Sequence, residues 1–84
     1  MTLNYKNNFM KDKIYQILGN TFEMNPKDIS EDLTQNDIDN WDSFRHLQLI
    51  IDLENEFGIS FDNNELVSLI DVKTIVSFVY KKTN

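Results

Sequence analysis

The strongest constraint on the fold lies between Asp42 and Gly58. In "DSFRHLQLIIDLENEFG" apolar residues recur at steps of three and four, the period of an α-helix and not of a strand. An acid and a hydroxyl stand ahead of the first apolar residue as candidate caps, and Gly58 offers the left-handed conformation that closes a last turn. His46, Leu49, Ile50, Leu53 and Phe57 fall within an arc of about 100°, the width of a stripe facing a core. Phe44, Leu47 and Ile51 form a second stripe offset by roughly 125°, with Glu54 at its end. Arg45, Gln48, Asp52, Asn55 and Glu56 complete the polar face. A second stripe is ordinarily packed against another helix. In a domain this small one helix buries one stripe and the shoulder of another, so Phe44, Leu47 and Ile51 are candidates for an apolar surface left open.

The rest of the chain keeps the helical period. Met10, Ile14, Ile17, Leu18 and Phe22 predict a first helix over 6–22, stopped by Asn25-Pro26 because the residue before proline is pushed out of the helical region. Asp62, followed three residues later by Glu65, is a capping-box start to a short third helix over 63–70. Val72, Ile75, Val76 and Val79 place a fourth over 72–82, ending in Lys81 and Lys82 where the helix dipole favours cations. The connection "PKDISEDLTQNDIDNW" is long, yet Ile29, Leu33, Ile38 and Trp41 can pin it to the core, so an ordered loop is expected. Two glycines and no useful alternating run argue against a sheet. The expected fold is all-α, a four-helix bundle with a long ordered loop between helices 1 and 2, in one domain spanning 1–84.

Composition removes whole classes of function. A chain of 84 residues buries only roughly 60–65% of its unfolded surface, which leaves no room for a deep enclosed active site. Without cysteine there is no disulfide, thiol nucleophile or thiolate metal site, and a single histidine makes a zinc site unfavourable. No run approaches the roughly 18 apolar residues of a membrane span, and "MTLNYKNNFMKDKIYQ" is too polar for a secretory leader, so a cytoplasmic chain is expected. An enzyme is disfavoured, since no glycine-rich phosphate loop or nucleophile-base pair is present. A calcium loop begun at Asp28 has Leu33 in place of its glycine and Asp39 in place of its final glutamate. One begun at Asp37 is spoiled by Trp41 and Arg45.

The net charge of −6 is unevenly placed. All acidic residues but Asp12 and Glu23 lie between 28 and 71, a span whose one base is Arg45, while Lys6, Lys11, Lys13, Lys27, Lys73, Lys81 and Lys82 occupy the flanks. Such a field repels nucleic acid and anionic membranes and steers basic partner surfaces to the middle of the domain.

At "DNWDSFRHLQLIIDLENEFGISF" the chain resembles the acyl carrier and peptidyl carrier protein family. Asp42, Ser43 and Phe44 match the family's aspartate, modified serine and apolar residue, "LQLIIDLENEFGI" matches the helix and its exit, and the architecture matches along the whole chain. The resemblance implies that Ser43 carries a covalent 4'-phosphopantetheine arm taken from coenzyme A by a phosphopantetheinyl transferase. It also implies that acyl or aminoacyl groups are held on the arm as thioesters and shuttled, without catalysis by the carrier, between loading and transferring enzymes with basic docking surfaces. Asp42, Phe44, Leu47, Ile51 and Glu54 then fall at the family's transferase and partner-recognition positions, and the carrier is expected to be a monomer. The sequence departs from the pattern at Phe44, where leucine is usual, and at Arg45, where carriers of fatty acid synthesis commonly have an acid, which points toward a dedicated biosynthetic pathway. His46 reads as a packed, hydrogen-bonded helix residue and Trp41 as core for the loop. The alternative is a helical interaction domain of the same fold that is never modified.

Overall fold

The computed structural model describes residues 2–83, with side chains from residue 9 onward. Its elements are α1 (Thr2–Phe22), α2 (Ser43–Phe57), α3 (Asn63–Leu66) and α4 (Val72–Thr83), with two 3-10 turns, Pro26–Asp28 and Gln35–Asp37, inside the loop between α1 and α2. The molecule is all-α. Among the described residues the only strand-like pairing is a single bridge between Thr34 and Asp71, and no helix is long and apolar enough to cross a membrane.

One cluster of side chains forms the core. It takes Met10, Ile14, Leu18 and Phe22 from α1, Leu49, Ile50 and Leu53 from α2, and Val72, Ile75 and Val79 from α4. Each follows the three-and-four spacing that brings residues to one helix face. The loop is ordered for the reason its composition suggests. Ile29, Ile38 and Trp41 are buried in the same cluster, with Leu33 packed at its edge. Its turns are capped locally. Asn25 accepts the Lys27 N–H, and Thr34 and Asp37 form a reciprocal capping box.

Two helix limits differ from the sequence reading. Helix α1 starts at residue 2 and not 6, and residues 2–6 hold neither proline nor glycine to break it. The stripe from which the sequence places this helix is read from Met10 onward and carries no signal for that start. At the other end α1 stops before Asn25-Pro26. Glu23 turns left-handed at φ 57° and the Met24 N–H donates to the Gly19 carbonyl at 2.9 Å, so the chain folds back over Gly19. A Cβ at Gly19 would lie 2.7 Å from the Met24 oxygen, so this approach needs glycine. The second difference is α3, which ends at Leu66 and not at 70. The Ile70 carbonyl accepts the Gln35 N–H at 2.8 Å and the Val72 N–H donates to Leu33 O at 3.0 Å. Within the predicted helix itself, the Ser68 N–H bonds back three residues to Glu65 O and the Ile70 N–H two residues to Ser68 O, so the four-residue ladder is not continued.

Candidate functional site

The first turn of α2 is held on three sides. Asp42 is the N-cap, in extended backbone (φ −101°, ψ −179°), and its Oδ1 accepts the Arg45 N–H at 2.8 Å. Carboxylates suit this place because unpaired N–H groups and the positive end of the helix dipole converge there. Arg45 reaches back to α1, where Nη1 donates to the Thr21 carbonyl at 2.6 Å and Nη2 lies 3.5 Å from a Glu23 carboxylate oxygen. His46 reaches in two directions. Its Nδ1 lies 3.0 Å from Trp41 Nε1 and its Nε2 3.0 Å from the carbonyl of Leu66 in α3. Trp41 is itself packed on Phe22, ring centroids 4.7 Å apart.

Ser43 is the first residue of α2 and is exposed. Because Asp42 does the capping, the serine hydroxyl has no hydrogen-bond partner among the described residues. It stands free at the end of a helix whose N–H groups favour an anion.

Below Ser43, the two stripes of α2 part company. Leu49, Ile50 and Leu53 are buried, whereas Phe44 is 76% exposed, Leu47 55% and Ile51 49%. These three large apolar side chains lie exposed along a single helix face. The Glu54 carboxylate accepts the Phe61 N–H at 2.9 Å, tying the end of α2 to the segment before α3. Asp52 accepts from Gln48 one turn away. The structure thus brings Asp42, Ser43, Phe44, Leu47, Ile51 and Glu54 along one side of α2.

Sequence reasoning missed two features. Val67, 74% exposed, and Ile70 add apolar surface just after Leu66, the residue whose carbonyl meets His46. Partly buried Leu66 and buried Leu69, three apart, could have placed Val67 and Ile70 on the opposite side had the end of α3 been known. The Arg45 tie to Thr21 had no sequence signal, since its acceptor is a backbone carbonyl 24 residues away. A half-open cavity of about 320 Å³ lies elsewhere, lined by residues of α1, the loop and α4, with none from α2.

The Glu65 carboxyl on α3 is held below its usual range, first by the Asp62 N–H it accepts and then by the Lys82 ammonium 2.9 Å away. Asp62 accepts the Glu65 N–H in return, at 2.8 Å, completing the capping box.

No family model matches the sequence. The chain is 27% identical over 73 residues to the acyl carrier protein of Chlorobium phaeovibrioides, covering 87% of this chain and 94% of that protein. It is 38% identical over 53 residues to an acyl carrier protein homolog of Mycoplasma genitalium, covering 63% of this chain and 60% of that protein. The solution structure of a holo acyl carrier protein from Geobacter metallireducens matches with a TM-score of 0.76 at 33% identity, over 86% of this chain and 83% of that one.

Proposed function

Because the chain belongs to the acyl carrier protein family, whose members are carriers and not enzymes, we propose that Ser43 is the attachment point of a 4'-phosphopantetheine arm. The observation that carries this reading is the division of labour at the start of α2. Asp42 caps the helix, and the exposed Ser43 hydroxyl is left over at an anion-favouring helix end. The residues fit the group. A serine hydroxyl can form the phosphodiester, Ser43 carries no β-methyl to crowd it, and the free N–H groups of the first turn suit a phosphate. When attached, the arm supplies a terminal thiol on which an acyl or aminoacyl group is held as a thioester.

The chain's own part is to present, orient and release. Asp42 offers a charge to a basic phosphopantetheinyl transferase, and Phe44, Leu47, Ile51 and Glu54 form the face on which loading and transferring enzymes settle. Tethering raises the local concentration of the cargo at a docked partner to roughly the millimolar scale. Docking through acids around an apolar stripe is weak and salt-screened, which suits a monomeric cytoplasmic shuttle that must leave each partner of a dedicated biosynthetic pathway quickly.

Intact mass after incubation with coenzyme A, magnesium and a promiscuous transferase tests the assignment. Wild type should gain one phosphopantetheine and Ser43→Ala none. No gain with several transferases would favour the unmodified interaction domain, and a gain that persists in Ser43→Ala moves the site elsewhere. For docking, Ile51→Ala should weaken partner kinetics at unchanged helix content. Glu54→Gln, which keeps an acceptor for the Phe61 N–H, isolates the charge from the hydrogen bond.

A further inference from the structure

We propose that His46 is a positioning residue for the reactions at Ser43: as a neutral ring protonated on Nε2, it clamps Trp41 of the loop and Leu66 of α3 to the first turn of α2. The inference rests on the carrier reading of Ser43 and adds to it a group that touches neither arm nor cargo.

Hydrogen-bond chemistry assigns the proton. Trp41 Nε1–H can only donate, so Nδ1 of His46, 3.0 Å away, must accept. The Leu66 carbonyl can only accept, so Nε2, also 3.0 Å away, must donate. Both contacts are satisfied by one tautomer of the uncharged ring and by no other state. The rings of Trp41 and His46 also stack, with centroids 6.1 Å apart and planes 29° apart. The clamp joins the two segments that flank the attachment turn. Trp41 immediately precedes Asp42 and Ser43, and Leu66 immediately precedes the exposed Val67. With Arg45 fastened to Thr21 and Asp42 on the Arg45 N–H, every residue of that turn but Ser43 and Phe44 is fixed from its own side chain.

The clamp is sensitive to protons. A proton on Nδ1 faces the indole N–H with a second donor and ends that hydrogen bond, while the bond to Leu66 survives. The charged neighbours are committed elsewhere. At the start of α2, Asp42 accepts the Arg45 N–H, and Arg45 is held by Thr21 O of α1 and by Glu23 just after it. On α3, Glu65 is held by the Asp62 N–H and by Lys82 of α4. Asp39 lies two residues before Trp41 in the loop. Among the described residues no carboxylate lies within ion-pair distance of the imidazole. Protonation of Nδ1 would therefore release Trp41 and leave α3 attached.

One tryptophan and one histidine make the test clean. Nitrogen-15 NMR of the intact chain at neutral pH should show a protonated Nε2 and a bare Nδ1, and the Trp41 indole N–H signal, hydrogen-bonded to Nδ1, should shift in His46→Gln. With a promiscuous transferase, His46→Ala, which removes both hydrogen bonds, should lower kcat/KM for loading Ser43 at least about fivefold, the worth of one of them. His46→Gln, which can still donate to Leu66, should recover part of the loss. The opposite or an averaging tautomer, an indole N–H signal unchanged in His46→Gln, or a folded His46→Ala loaded at the wild-type rate overturns the clamp. The first two readings decide the matter even if His46→Ala does not fold. Wild type that is never loaded overturns the carrier reading instead, so the two failures are told apart.

Discussion

Which of two neighbours caps α2 decides what is left for chemistry, and three variants separate them. The Asp42 Oδ1 accepts the Arg45 N–H at 2.8 Å, and the Ser43 hydroxyl is exposed with no partner among the described residues. Asp42→Ala removes the acceptor and should cost about 1 kcal/mol, within a range of roughly 0.5–2. For a domain of this length that corresponds to a fall in Tm of about 4–8 °C. Asp42→Asn keeps an oxygen acceptor without the charge and should hold most of the wild-type Tm. Ser43→Ala removes a hydroxyl that bonds to nothing, so its stability should move by no more than about 0.5 kcal/mol. Melting curves by far-ultraviolet circular dichroism measure all three, and transferase kinetics on Asp42→Asn then report the carboxylate's charge apart from its cap. A Ser43→Ala variant that loses as much Tm as Asp42→Ala, or an Asp42→Ala variant that loses none, would refute the reasoning, because the serine would then be the cap.

Three further outcomes follow from the geometry. Leu53→Ala, fully buried, should cost about 2–5 kcal/mol, whereas the equally large truncation Leu47→Ala on the open stripe should cost under about 1 kcal/mol, and equal Tm losses would deny that α2 buries only one stripe. Gly19→Ala puts a methyl 2.7 Å from the Met24 oxygen, a backbone atom, and should destabilise by about 1–3 kcal/mol where the same change at an open helical site would stabilise; denaturant unfolding distinguishes the two signs. The Glu65 carboxyl is held down by the Asp62 N–H and then by Lys82, so its folded-state pKa is the lower one. Its contribution is therefore present above the ordinary glutamate value of about 4.3 and is lost as pH falls through the folded value. Amide shifts of Asp62 and Glu65 should report that loss in acid, and Glu65→Gln should abolish it.

The helices and the exposed serine behind the Asp42 cap were legible because their signals are local. A cap bonds two or three residues ahead, as Asp42 to Arg45 and Asp62 to Glu65 do, and a stripe repeats every three or four. Helix ends set by distant partners were not legible. The segment after α3 is pinned to the long loop, Gln35 N–H on Ile70 O and Val72 N–H on Leu33 O, whereas the end of α1 at Phe22 was read from the nearby Asn25-Pro26. The same holds for individual side chains. Glu54 reads as a free recognition charge from its place on the helix, but it also holds the Phe61 N–H.

The sequence by itself therefore determined that the chain is helical, where α2 begins, that a serine stands behind a capping acid, and that α2 carries two apolar stripes. All of these follow from spacings within one or two turns. Only the tertiary structure decided which stripe is covered. It also decided that Arg45 and His46, placed on either side of the same turn, are spent on Thr21, Trp41 and Leu66 while Ser43 is left free. The physical reason is reach. Thr21 lies 24 residues before Arg45 and Leu66 20 residues after His46, distances that no helical period spans and only packing brings within a hydrogen bond.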